Sequence, residues 1–305
     1  MAESGRGHAH PSPYLLLALA TLFWAANIVL ARGMSPQIPP VAMAFWRWTI
    51  AGLVIAPFAA RGLARHWPAV KRSWKTLAAL GVLGCGLYNT MSYIGLQTTT
   101  ATNTALFNSI IPMFIVPIAW VWLHERIRPV QGVGVLVSLA GVLAIVGQGS
   151  LDTFLHLRIN PGDLWVIGAS LLWAVYTVVL RFKPPELGAV PLMGAIVLFG
   201  WPVLALLYLW ELSTGARFEL NWATGTTLTY YGTLPSVVSY ILFNRGVAAL
   251  GANRGGIFVH LIPVYGIVLS AIFLGERPQG YHAAGIVLIF TGIYLTTARR
   301  FARSG

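Results

Sequence analysis

Ten mostly apolar runs of about 20 residues recur along this 305-residue chain, each long enough to cross a hydrocarbon core of about 30 Å as a helix. They cover 14–33, 41–60, 76–96, 104–123, 130–148, 163–180, 190–210, 225–244, 255–274 and 281–298. Apolar residues make up 57% of the chain and charged residues 9%, whereas an average soluble domain is about 25% charged. Little remains for a water-soluble domain. Because lipid offers no partner to backbone N–H and C=O groups, runs of this length are expected to be helices. The expected fold class is an all-α integral membrane protein.

The chain also repeats itself. Thr21-Leu22-Phe23-Trp24-Ala25-Ala26-Asn27 returns 149 residues later as Ser170-Leu171-Leu172-Trp173-Ala174-Val175-Tyr176. At an offset of 151, Ile111-Pro112 pairs with Ile262-Pro263, Glu125-Arg126 with Glu276-Arg277, and Gly141 with Gly292. Two matches at nearly one offset indicate a duplicated unit of about 150 residues. Five spans per unit is an odd number, so the second unit must enter the membrane upside down. The expected organisation is a tail over 1–12, a five-helix repeat over 13–148, a connecting loop over 149–162, an inverted five-helix repeat over 163–298 and a basic tail over 299–305. Inverted repeats place a substrate site near the midplane between the halves, as in carriers. Ala18-Leu19-Ala20 resembles a signal-peptide cleavage site, but the partner of that span lies mid-chain, so the first span is expected to be retained.

The net charge of +12 would suggest nucleic acid only if the basic residues shared one water-facing surface. They sort by loop parity instead. Arg61, Arg65, Lys71, Arg72, Lys75, Arg126, Arg128, Arg181, Lys183, Arg245 and Arg254, with Arg6, Arg299, Arg300 and Arg303 of the tails, fall on one side. The other side keeps Arg32, Arg158, Arg217 and Arg277. By the positive-inside rule the richer side is cytoplasmic and holds both termini. Cys85 is the only cysteine, which excludes an intrachain disulfide and a cysteine metal cluster.

The Trp24 and Trp173 segments, the Phe45-Trp46-Arg47 pattern and the Pro-to-Glu-Arg spacing of the fourth and ninth spans resemble the drug/metabolite transporter superfamily, in its EamA branch. The resemblance covers 14–298 and is greatest to the YddG-type exporters of aromatic and other neutral amino acids. It implies a bacterial inner-membrane, multi-pass carrier that exports amino acids such as aromatic residues, Met and Thr, without cofactor, metal or nucleic acid. Oligomeric state is left open, a monomer included.

Several residues stand out as candidates for substrate contact. Trp24 and Trp173 fall mid-span, although tryptophan favours the interfaces, and each has polar neighbours at helical spacing: Thr21 and Asn27, or Ser170, Tyr176 and Thr177. They are expected to face each other across a cavity, or else to fill a bundle core. A second stripe runs through Gly81, Cys85, Tyr88 and Ser92, matched by Gly232, Ser236, Ser239 and Phe243, with Asn89 and Tyr240 alongside. Tyr88, Asn89, Ser239 and Tyr240 offer neutral polar contacts that suit a zwitterion with an apolar side chain; packing between helices is the alternative. Arg47 lies about 10 Å inside its span at about 1.5 Å per residue. It is placed to snorkel outward, to tie helix ends together or to hold a substrate carboxylate. Pro112 and Pro263 each remove a backbone donor, leaving the carbonyls of Asn108 and Val259 to seek others, and read as gating hinges or as plain kinks.

His260 is the only histidine within a span, where it is a candidate to touch substrate, carry a proton or bond a neighbouring helix; its repeat equivalent is Ser109. No Asp or Glu falls inside a span, which favours facilitated diffusion or exchange over proton antiport. Enzymes are disfavoured: there is no His-Glu-x-x-His, Gly-x-Ser-x-Gly or intramembrane carboxylate pair. Among carriers of this type, drug and metabolite export is the rival, and nucleotide-sugar exchange would need more cavity cations than Arg47.

Overall fold

The computed structural model describes residues 11–33, 38–156, 159–273, 275 and 277–298. Arg6, Arg158, Glu276, Arg299, Arg300 and Arg303 lie outside the described residues, as does the side chain of Arg32. The described chain is helical throughout, with no strand. In order the helices are α1 (Pro13–Gly33), α2 (Pro40–Arg65), α3 (Trp67–Arg72), α4 (Trp74–Leu80), α5 (Tyr88–Leu96), α6 (Ala101–Asn108), α7 (Ile111–Leu123), α8 (Pro129–Val146) and the short α9 (Asp152–Leu155). The second half follows with α10 (Pro161–Val179), α11 (Ala189–Ser213), α12 (Trp222–Thr233), α13 (Ser239–Leu250), α14 (Ala252–Gly256), α15 (Leu261–Phe273) and α16 (Gly280–Thr297).

Among the described residues, eight stretches are long and apolar enough to cross a membrane: 40–65, 74–96, 103–123, 129–146, 161–182, 189–213, 252–273 and 280–297. Two of the ten expected spans fall short. The described apolar part of α1 is Pro13–Asn27, which is shorter, and the run from Trp222 to Leu250 is diluted by threonines, Asn244 and Arg245. Leu53, Phe58, Leu206, Phe273 and Val287 stand exposed, the pattern of side chains whose solvent is lipid.

Helix ends follow local chemistry. Thr100, Asn160 and Asn221 accept the backbone N–H of Asn103, Asp163 and Thr224, the usual N-cap arrangement. The start of α2 is capped from far away: both oxygens of Glu211 accept from the N–H groups of Val41 and Ala42, at 2.9 and 2.7 Å, where the helix dipole favours an anion. Asp163, at the start of α10, accepts from Thr99 and Asn103. Asp163 and Glu211 are buried at helix ends, not mid-span, and each acts as a cap.

The halves interlock. α1 packs mainly on α13 and α15, whereas α10 packs mainly on α5 and α7. Each half therefore lends its first helix to the other. α2 lies on α11 and α8 on α16. In the α8–α16 pair the backbones nearly touch: a Cβ on Gly141 would fall 2.6 Å from the Gly285 carbonyl, and one on Gly134 2.7 Å from that of Gly292. Gly134 and Gly141 are the repeat equivalents of Gly285 and Gly292. Reciprocal contacts of this kind mean that α8 and α16 cross antiparallel about a local two-fold axis.

Candidate substrate site

Each half widens into a π-helical turn at the same place in its repeat, over Gly81–Leu87 between α4 and α5, and over Leu234–Val238 between α12 and α13. The causes differ. Pro235 has no N–H to give the Tyr231 carbonyl, which instead accepts from Ser236 Oγ at 2.7 Å. In the first half Gly81, Gly84 and Gly86, poor helix formers, permit the same expansion. Wide turns of this sort are frequent at functional sites. Pro235, which has no proline partner in the other repeat, thus opens the second of these turns.

The two turns present equivalent carbonyls, those of Gly84 and Pro235. Tyr240 Oη and Asn89 Nδ2 donate to Gly84, at 2.8 and 3.2 Å. Trp24 Nε1 donates to Pro235 at 2.9 Å. Asn89 and Tyr240 are repeat equivalents and lie 3.3 Å apart, so the two-fold axis passes between them. An aromatic cluster surrounds this point. The Trp173 ring, 1% exposed, lies 4.7 to 5.3 Å from Trp24, Tyr88, Tyr176, Tyr240 and Phe243. Trp48 meets Tyr240 edge-on at 5.0 Å. Such pairs each add about 0.5–1.5 kcal/mol beyond area burial.

This geometry revises the expected walls. Trp24 and Trp173 touch, with centroids 5.2 Å apart and planes at 84°, instead of standing apart. The flanking hydroxyls are largely used locally: Thr21 donates to Leu17 and Ala18, Thr177 to Trp173, and Ser239 to Leu234. Ser170 reaches Asn108, and Tyr176 Oη reaches Asn244, both in buried or partly buried positions. Asn27 Oδ1 and Trp173 Nε1 are buried without a hydrogen-bond partner among the described residues.

Arg47 does not snorkel. It is 4% exposed, with Nε donating to Ser236 Oγ at 2.6 Å and Nη1 to Tyr93 Oη at 2.7 Å. Its guanidinium also lies about 6 Å from the rings of Trp48 and Tyr231. No carboxylate pairs with it among the described residues. Two of its five N–H donors are spent on neutral hydroxyls.

His260 has both ring nitrogens engaged by protein. Nε2 lies 2.8 Å from the Ser109 carbonyl and Nδ1 2.7 Å from Ser138 Oγ. A carbonyl only accepts, so Nε2 carries the proton and, in the neutral ring, the serine hydroxyl donates to Nδ1. The Ser109 carbonyl is available because the fourth span breaks between α6 and α7, where the Met113 N–H turns to Ile110. Of the roles expected for His260, these contacts are those of a bond to neighbouring helices. The Ser109 carbonyl is thus freed beside that of Asn108, which Pro112 leaves without its usual donor. Pro112 is thereby the second residue of α7 and not a mid-helix kink. Pro263 stands in the first turn of α15, behind a 3₁₀ turn over Ile257–His260.

Sequence reasoning missed Tyr93, Tyr231 and Trp48, the surroundings of Arg47; Ser236 and Phe243 entered only as stripe positions. Among the described residues no cluster of three His, Cys, Asp or Glu side chains is placed to hold a metal.

Helices fit for a membrane, a two-fold repeat and a buried polar and aromatic centre between the halves define a membrane transporter. The family comparison places it further: residues 11–147 and 160–298 each match the model of the EamA-like transporter family. The chain belongs to that family, within the drug/metabolite transporter superfamily. An uncharacterised transporter of Archaeoglobus fulgidus is 28% identical over 94% of this chain and 98% of its own. The uncharacterised transporter YetK of Bacillus subtilis is 27% identical over 94% and 87%. A probable terminal-alkyne amino-acid exporter of Streptantibioticus cattleyicolor is 26% identical over 94% of each chain. A solved crystal structure, 22% identical, shares the fold with a TM-score of 0.76 over 96% of this chain and 99% of that one.

Proposed function

We propose that the protein is an inner-membrane, alternating-access exporter of neutral amino acids, aromatic ones and others such as Met and Thr, working by facilitated diffusion. In this reading α1 and the Trp222–Leu250 run also cross the bilayer, making ten spans in two inverted repeats over 13–148 and 163–298. The ends bearing Arg126, Arg181 and Arg254, with both termini, face the cytoplasm.

The carrying observation is Arg47, a buried cation that lacks an acidic partner among the described residues and adjoins an aromatic cluster. Burying a charge is costly unless it is paired, and a substrate carboxylate supplies the missing anion. The rings of Trp24, Tyr88, Trp173 and Tyr240 then suit an apolar or aromatic side chain. One relative named as a probable amino-acid exporter agrees with this reading. With both nitrogens of His260 engaged and the buried acids serving as caps, no carboxylate or imidazole near the centre, among the described residues, is left open for proton coupling.

Alternation follows from an asymmetry at the π turns. Trp24 bonds the Pro235 carbonyl, while the equivalent bond from Trp173 to Gly84 is absent, since Tyr240 and Asn89 occupy that carbonyl. In inverted repeats the opposite state arises when the halves exchange conformations. Trp173 then bonds Gly84, and Trp24 releases Pro235.

The test is uptake into proteoliposomes. L-Phe, Met and Thr should show saturable flux with counterflow, insensitive to an imposed pH gradient. Arg47→Lys loses the planar fork and should raise the half-saturation concentration for amino acids about 10- to 100-fold, the worth of a charge-assisted hydrogen bond. Phenethylamine, which lacks the carboxylate, should be unaffected. An equal loss for both compounds would reject the carboxylate role.

A further inference from the structure

Two clefts meet where α7 stops. The helix ends at Leu123 because His124 turns left-handed, with φ 54°, and the chain then crosses 124–128 to Pro129, which opens α8. One cleft, of about 350 Å³, lies among the ends of α7, α10 and α13 and the starts of α8 and α14. Its walls include Glu125, Arg126, Arg128, Arg181, Asn253 and Arg254. The other, of about 410 Å³, runs along Val116, Pro117, Trp120 and Ile127, and shares Glu125 and Arg126 with the first. One cavity is cationic, the next apolar, and they are contiguous.

The charges in the first cleft do not cancel. Its single acid, Glu125, is committed: Oε1 lies 3.8 Å from Arg181 Nε, and Oε2 accepts from Asn253 Nδ2 at 3.3 Å. Arg181 also donates to the Ala248 carbonyl at 2.9 Å. With Arg181 set against Glu125, the positive charge left over in the lining is that of Arg126 and Arg254. Arg126 and Arg254 have no acidic partner among the described residues. A neutral amino acid has no use for such a surplus. A soluble anion has no use for the apolar groove beside it, and a zwitterionic lipid would already bring its own cation.

We infer that this pair of clefts is a binding site for an anionic phospholipid. Its phosphate sits between Arg126 and Arg254, and an acyl chain lies in the groove of Val116, Pro117, Trp120 and Ile127. Guanidinium groups suit phosphate oxygens through paired N–H donors. Basic pockets between helices on the cytoplasmic side are suited to such headgroups, and that is the side this end faces in the orientation proposed above. Trp120, 58% exposed, lies against the chain below the headgroup, where aromatic rings favour the interface. A lipid held here bridges the first half, through α7 and α8, to the second, through α10 and α14.

The test uses the full chain purified in detergent, with bound lipid counted by native mass spectrometry. Phosphatidylglycerol should be retained at about tenfold lower concentration than phosphatidylcholine, with the preference shrinking as salt rises. Arg126→Gln with Arg254→Gln should abolish that preference, whereas Arg126→Lys should keep most of it. Trp120→Ala should weaken both lipids. Glycerol phosphate, the headgroup without chains, should compete only at far higher concentration. Equal retention of the two lipids, an unaltered preference in the double variant, or glycerol phosphate binding as tightly as the lipid would each overturn the proposal. Unfolding midpoints in lipid-free detergent, compared across variants, separate a lost site from a lost fold. If the double variant unfolds, the comparison of Arg126→Gln with Arg126→Lys decides.

Discussion

At the scale of single residues, polar groups find partners that spacing along one helix does not reveal. His260 was legible as unusual, being the one intramembrane histidine, but its work is to hold a broken helix. It bonds the carbonyl that the break at Ser109 leaves open and ties it to Ser138 on α8. His260→Ala removes two buried hydrogen bonds and strands a carbonyl, an expected loss of about 2–3 kcal/mol. Thermal unfolding in detergent should show this loss, with flux per folded molecule retained. Normal stability with lost flux would instead return His260 to the transport pathway. Arg47 was likewise legible as a charge without a counterpart in the second repeat. Its neighbours were not, because Tyr93 and Ser236 come from two other helices, 46 and 189 residues away.

At the scale of elements, the helices were readable because hydropathy and length are local properties, and among the described residues eight of the ten expected runs meet both criteria as folded. The π turns were not. Pro235 has no proline partner in the other repeat, and Gly84 is one glycine among 32. Only their equivalence in the repeat, with both carbonyls turned to the centre, gives them a shared role. The asymmetry between them makes a prediction. Trp24→Phe breaks the bond to Pro235 and should destabilise this state by about 1 kcal/mol, whereas Trp173→Phe loses no hydrogen bond here. Thiol labelling of a cysteine placed at Asn253 should therefore shift in Trp24→Phe and move less, or in the opposite sense, in Trp173→Phe. Identical shifts would show that the two tryptophans are not exchanging roles.

At the scale of the molecule, duplication was plain in the sequence, and the reciprocal pairs Gly134–Gly292 and Gly141–Gly285 place those repeats about an axis. Interlocking was not foreseen. With α1 seated on α13 and α15, and α10 on α5 and α7, neither half keeps its first helix for itself. A fragment over 1–148 is accordingly expected not to fold alone. Co-expression with 149–305 should restore a complex that co-purifies and transports, and a stably folded, monodisperse single half would contradict the interlocked packing.

By itself the sequence determined that this chain lives in a bilayer, forms helices there, carries one unit twice and belongs among carriers, because apolar length, charge sorting and self-similarity are written along the chain. Only the tertiary structure decided that Trp24 and Trp173 touch, that His260 braces a helix break, that Ser236 and Tyr93 hold Arg47, and that Glu125 reaches across to Arg181 and Asn253. Each of these depends on how helices rotate and cross. Hydrogen bonds and ring contacts act over a few ångströms, so a small change in rotation exchanges one partner for another while leaving the hydropathy pattern untouched.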